Sequence, residues 1–365
     1  MNGVTSYVYD AFGDLLATTG PLGKTISNTY DVRGRKIASS DPDMGSWSYG
    51  YDGLDELVSQ TDAKGQTTTM AYDLLGRMTS KQAPDLASAW TWDEAAHGVG
   101  RLASATTNQS YARLYAYDSL GRPTSVTLTI NGNPYGYVTN YLALSGKAFQ
   151  TTYPSGLVLE RDYNSLGYLA DLKDLGQGLL VWRANTRDAE LHPLSVTLGG
   201  AFGVSKTFNV ETGRIETVQA GAGAGIANFS YGFDTLGNLI SRADANESLS
   251  ETFGYDALNR LLNVTKNGVQ SWSGTYDAEG DILTKSDVGT YSYGSGAGPH
   301  AVTSIAGTLN GVANPTFAYD ANGAMLSGAG RSFAYDASGH TSFVAETIPS
   351  VTEATTLYLN DPTTG

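Results

Sequence analysis

Cysteine is absent from the 365 residues. Disulfides, thiolate metal sites and cysteine nucleophiles are thereby excluded, although a large secreted chain has no need of disulfides and the compartment stays open. Basic residues are scarce: 22 Lys and Arg stand against 36 Asp and Glu, a formal net charge of −14. Such an acidic surface repels phosphate backbones and argues against a nucleic-acid partner, and equally against polyanionic glycans and anionic lipid. Long apolar runs are missing too. None approaches the ~18 residues of a membrane-spanning helix, so no membrane insertion is expected. The opening residues Met1 to Thr5 carry neither a basic region nor an apolar one. No signal peptide is visible, and the chain reads as a fragment of a longer secreted or cell-surface protein.

The motifs of catalysis are equally thin. The four histidines, His97, His192, His300 and His340, lie far apart, with no His-Glu-x-x-His spacing. They read as turn or solvent-facing residues. A Gly-x-Ser-x-Gly nucleophile turn does not occur. The glycines of 221–225 lack the Gly-x-Gly-x-x-Gly spacing of a dinucleotide site. The stretch Asp41 to Gly45 lacks the bidentate Glu of a calcium loop. No enzyme activity, catalytic residue, cofactor or metal is expected.

Glycine, by contrast, supplies 44 of the 365 residues, about 12% against the ~7% of ordinary chains. Tyrosine occurs 23 times, and charged residues make up only 16%. That composition suits many short strands joined by tight turns. Much of it is organised as a recurring Tyr-Asp-x-x-Gly. Tyr9-Asp10 with Gly13 opens the series, Tyr30-Asp31 with Gly34 follows, Tyr51-Asp52 keeps the phase, and Tyr72-Asp73 with Gly76 comes next. Starts at 9, 30, 51 and 72 are 21 residues apart. Further full copies are Tyr117-Asp118 with Gly121, Tyr276-Asp277 with Gly280, Tyr319-Asp320 with Gly323, and Tyr335-Asp336 with Gly339. Worn copies lie between them: Trp92-Asp93, Tyr163-Asn164, Arg187-Asp188, Phe208-Asn209, Phe233-Asp234 and Tyr255-Asp256, the last with Asn259 where glycine belongs. A fixed period of this size means one supersecondary unit repeated, which argues against a single globular fold with a dedicated pocket.

The spacing has a physical reason. Asp at the first position of a turn accepts a hydrogen bond from the backbone two residues on. Gly three residues after Asp takes positive φ, closing a three-residue hairpin loop with a G1 bulge. Tyr then ends the incoming strand, and a polar residue, often Arg, followed by an apolar one starts the outgoing strand. In that register Asp31 faces Arg35 and Asp73 faces Arg77, and the tyrosines recur on one face of the sheet. Each period holds two strands and two turns. No long helix is expected; Asp171 to Leu175 and Thr186 to Leu194 come nearest, and the second aligns better as a worn repeat. A dozen equivalent turn carboxylates also lack the paired, distinct environments of glycosidase acids.

Tyr-Asp-x-x-Gly-Arg at this period resembles the YD-repeat, or RHS-repeat, family, over about residues 7 to 340. That family includes bacterial RHS toxins, the shell components of insecticidal toxin complexes, and the animal teneurins. Tyr153 to Gly156, Gly298 to Val302, and the copies at Tyr319 and Tyr335 fit the bacterial branch. The resemblance implies an all-β fold: repeated β-hairpins in one spiralling antiparallel sheet, part of a hollow shell or β-cocoon. It implies a non-catalytic shell segment over residues 1–340, with 341–365 a strand or linker leading towards an absent core domain. The implied partners are a C-terminal toxin domain in cis, itself absent, and secretion machinery. The family's core carries paired Asp-Pro-x-Gly motifs and cuts off the toxin. Asp361 to Gly365 is one residue too long for that motif and has no second copy, so no protease role is transferred to Asp361. The alternative is a cell-surface adhesion or carbohydrate-binding repeat, with Trp47, Trp90 and Trp92 stacking on sugars and sequons at Asn108, Asn228, Asn246 and Asn263.

Overall fold

The computed structural model describes residues 3–294, 297–337, 339–346 and 354–357. Regular structure there is almost wholly β, in strands mostly of four to nine residues; the one helical element among the described residues is a single 3-10 turn, Ala222–Ala224, inside the glycine-rich loop. Of the two segments nearest to helix in sequence, Asp171 to Leu175 falls almost wholly in the strand Leu169–Asp174, and Thr186 to Leu194 spans the turn between the strands Leu179–Arg187 and Pro193–Leu198. Among the described residues, twenty-nine strands belong to one hydrogen-bonded sheet and five to a second. Pairing follows chain order and is antiparallel, as in the run Leu15–Thr19, Thr25–Tyr30, Lys36–Asp41, Gly45–Tyr51 and Leu57–Thr61. Alternating Thr, Ser and aromatic residues make these strands, and Gly or Asp-led turns end them.

The chain divides into two units: Met1–Leu114 with Thr129–Asn133 and Gly274–Gly365, and Tyr115–Leu128 with Pro134–Ser273. In the second unit the strands from Val158–Tyr163 through Pro193–Leu198 to Ile215–Ala220 each pair with the next. In the first unit, early and late repeats meet along a seam of turns. Leu22 N–H donates to Glu279 Oε1 at 2.9 Å, Asn322 Nδ2 to Asp62 Oδ2 at 2.7 Å, Lys64 Nζ to Asp320 Oδ2 at 3.0 Å, and Ala337 N–H to Asp85 Oδ1 at 3.0 Å.

The buried apolar residues among those described are few: Met70, Leu86, Ala105, Tyr111, Val196, Ile305 and Ala329. A sheet with so little packed core depends on its ladder, its cross-strand contacts and its turns. The turns are therefore where function must be sought.

Candidate functional site at the repeated turns

In each full copy the Asp carboxylate organises the turn from inside. Asp31 Oδ1 accepts the N–H groups of Arg33 and Arg35 at 2.9 and 3.0 Å. Asp10, Asp73, Asp118, Asp277 and Asp320 accept from the residues two and four further on in the same way, and Asp336 accepts from His340 N–H. The glycines take positive φ: 94° at Gly13, 75° at Gly34, 74° at Gly76, 72° at Gly121, 104° at Gly280, 79° at Gly323 and 85° at Gly339. Their N–H groups return to the carbonyl of the turn Asp, except at Gly280, which donates to Asp277 Oδ1. The ladder shifts register at Tyr9, Tyr30, Tyr72, Tyr276, Tyr319 and Tyr335, as a bulge after each such turn requires.

Arginine four residues after Asp closes the outer side. Arg35, Arg77, Arg122 and Arg260 each bring Nε to 2.7 Å from the second oxygen of Asp31, Asp73, Asp118 and Asp256. These pairs are mostly shielded, with Arg35 and Asp31 side chains about one-fifth exposed. The hydrogen bonds from Arg35 hold the Asp31 carboxyl down at about 2. The same arginines reach the next repeat. Arg35 donates to the Asp52 carbonyl at 2.9 Å and lies over the Tyr51 ring, and Arg77 grips Asp93 over the Trp92 ring. Arg122 lies 4.4 Å from the Tyr141 ring centroid. Such contacts between a planar cation and a ring face tie repeat to repeat.

Sequence reasoning missed what the tyrosine does. Tyr30, Tyr51, Tyr72 and Tyr163 each donate their hydroxyl to a backbone carbonyl 15 residues earlier, those of Leu15, Lys36, Leu57 and Ala148, at 2.7–3.1 Å. Tyr141, Tyr255, Tyr293, Tyr319 and Tyr335 do the same to Pro123, Leu239, Ile282, Val302 and Met325. Trp92 substitutes its Nε1–H, to the Met78 carbonyl. The acceptors have a common origin. Leu15, Lys36, Leu57 and Met78 sit opposite the preceding Tyr at the bulge. The ladder to the following strand stops two residues later, at Ala17, Ala38, Ser59 and Ser80. A carbonyl outside the ladder needs a donor, and the next aromatic supplies it.

Worn copies keep the plan by substitution. Arg187 Nη2 donates to the Leu169 carbonyl in the tyrosine's place, Leu191 takes the glycine position at φ 70°, and His192 replaces Arg against Asp188. The ligand atoms of Asp188, Glu190 and His192 lie within 4.8 Å of one another on this partly exposed turn, but His192 is already bound to Asp188 and stacked on Phe208. Asp55 occupies the glycine position at φ 70° and pairs with both Arg33 and Arg35. The tryptophans considered for sugar stacking are half-buried; Trp47 donates to the Met44 carbonyl and Trp92 lies beneath Arg77. Asn108 closes a turn by accepting from Ala87 N–H. His300 lies in an exposed turn and binds Asp43 across the seam. Asp361 to Gly365 lies outside the described residues.

Residues 4–44 and 46–85 match the family model described as RHS Repeat, and residues 211–347 match that described as Teneurin YD-shell. The chain belongs to the RHS/YD-repeat family. No curated protein matches it in sequence. Among solved structures it is similar to a chain in the Photorhabdus luminescens Tc holotoxin pore, at 16% identity and TM-score 0.75 over 97% of this chain and 21% of that one. It is similar also to TcdB2-TccC3, at 15% identity and TM-score 0.76 over 98% of this chain and 22% of that one, and to TcdB2-TccC3-Cdc42, at 14% identity and TM-score 0.75 over 97% and 22%. The chain thus spans about a fifth of the length of the structures it matches. It shares with them the fold of Tc-toxin shell proteins, a large antiparallel sheet of repeated strands.

Proposed function

We propose that this chain is a non-catalytic wall segment of a bacterial RHS-type shell, and that the complete protein encloses a toxin domain carried C-terminal to it on the same polypeptide. The observation that carries the reading is the turn itself. Asp, Gly, Arg and Tyr are all consumed in joining one hairpin to the next, and the same use recurs from Tyr30 to Tyr335. A catalytic carboxylate needs an environment its neighbours lack; here the carboxylates are alike. On this reading residues 1–340 form the wall, 341–365 lead towards the core, the turn residues are structural, and the protein acts outside the cell that makes it, delivered by secretion machinery.

Limited proteolysis of the natural full-length polypeptide tests this. A segment C-terminal to the repeats should resist cleavage while the shell is folded and be cut when the shell is opened with denaturant. A C-terminal segment cut at the same rate in both conditions would overturn the encapsulating role.

A further inference from the structure

One cluster on the seam of the first unit is not used by the repeat. The 41–45 turn and the 277–281 turn approach each other there, and His300 stands between them. Its Nδ1 lies 2.5 Å from Asp43 Oδ2 and its Nε2 lies 3.2 Å from Glu279 Oε2, while its own N–H donates to Asp43 Oδ1 at 2.9 Å. Glu279 is nearly buried, with 7% of its side chain exposed, and its other oxygen accepts from Leu22 N–H. The backbone is packed tightly around the pair. A Cβ on Gly298 would come within 2.7 Å of Asp43 Cα, and one on Gly20 within 2.7 Å of Glu279 Oε1.

Both ring nitrogens of His300 thus face carboxylates. An imidazolium donates from both; a neutral imidazole has one N–H and turns a lone pair on the other acid. We propose that His300 is a pH-sensitive latch on this seam, which clamps the 41–45 and 277–281 turns together when charged and lets them loosen when neutral. The groups facing it are Asp43 from one turn and Glu279 and Asp281 from the other, with Asp277 beside Asp281. All are acids, so once the imidazole is neutral nothing among them offsets their mutual repulsion. The hydrogen bond to Asp43 raises the His300 pKa above its ordinary 6.5, against the opposing effect of burial. Burial also raises the Asp281 carboxyl above its ordinary 3.8. A group whose pKa is raised on folding contributes stability below its unfolded value and loses it as pH rises through the folded one. The latch is therefore closed in mild acid and opens on the alkaline side of 6.5. It does not depend on what the shell encloses.

Hydrogen exchange on the whole chain, corrected for intrinsic rates, reads the latch at two amides, Leu22 and His300, with Tyr72 N–H in a strand away from the seam as reference. Protection at the two seam amides is expected to fall by about tenfold or more as pH rises from 6 to 9, since one pKa unit corresponds to a factor of ten, while Tyr72 stays level. In His300→Gln the seam amides should lose that pH dependence. An unchanged dependence in this variant, or a level wild-type profile, overturns the proposal. If His300→Gln does not fold, Glu279→Gln is titrated by NMR instead. The His300 midpoint should drop relative to wild type, and an unmoved midpoint refutes the latch.

Discussion

At the scale of the residue, the tyrosine hydroxyl is the least obvious part of the motif and the easiest to test. Tyr51→Phe keeps the ring beneath Arg35 but leaves the Lys36 carbonyl without its donor. The loss should be about 0.5–1.5 kcal/mol in unfolding free energy, measured by urea titration, with the slope of the transition unchanged. The chain also holds the natural counterpart: Phe233 stands at a tyrosine position, after a repeat in which Phe208 faces Ile215. Phe233→Tyr should gain a bond of similar worth to the Ile215 carbonyl. If neither substitution moves the midpoint, the hydroxyl contributes nothing net. The roles of Asp, Gly and Arg were legible in sequence because they act within four residues of one another, as at Asp31 and Arg35. The tyrosine's role was not, because its acceptor exists only where a ladder stops two residues from a bulge, a fact of pairing and not of local sequence.

At the scale of the element, the seam shows the same division. The copy at Tyr319 reads as one more hairpin, and nothing in its sequence announces that Asn322 reaches Asp62 or that the turn lies against Asp43. Gly323 bears two demands at once. Its φ is 79°, and a Cβ there would stand 2.5 Å from the Asp43 carbonyl oxygen. Gly76 has a similar φ, 74°, but its nearest neighbour would be Glu56 Oε1 at 3.2 Å, the end of a flexible side chain. Both Gly→Ala substitutions should therefore cost about 1–2 kcal/mol for the left-handed backbone, and Gly323→Ala a further ~1–3 kcal/mol for overpacking. Comparison of the two by chemical denaturation isolates the seam; equal costs would mean the seam yields freely.

At the scale of the whole molecule, pH dependence should follow the two chemistries of the repeat. Hydrogen bonds from arginine and backbone hold the Asp31, Asp73, Asp118 and Asp256 carboxyls below their ordinary 3.8, Asp31 at about 2. Their contribution is thus present above that value and is lost as pH falls through the folded one. Burial raises the hydroxyls of Tyr30, Tyr72, Tyr141, Tyr255, Tyr319 and Tyr335 above 10.0, and that of Tyr293 to about 12. Theirs is present below pH 10 and is lost as pH rises through the folded values. Melting temperature against pH should accordingly show an acid limb below about 4 and an alkaline limb above about 10, with a shallower change between them from the seam. An acid limb beginning near pH 6 would shift the weight away from the turn carboxylates.

The tyrosine rungs also give the array a direction. Each hydroxyl reaches back to an earlier carbonyl, by 15 residues in the regular copies. Removing a repeat from the front leaves a hydroxyl without its acceptor; removing one from the back leaves a carbonyl on the new edge strand without its donor. During synthesis the order is the same: each hairpin leaving the ribosome finishes the one before it. In these rungs only the newest repeat is incomplete at any moment, however long the chain becomes, whereas the seam turns near Leu22 and Asp62 wait for partners that emerge much later.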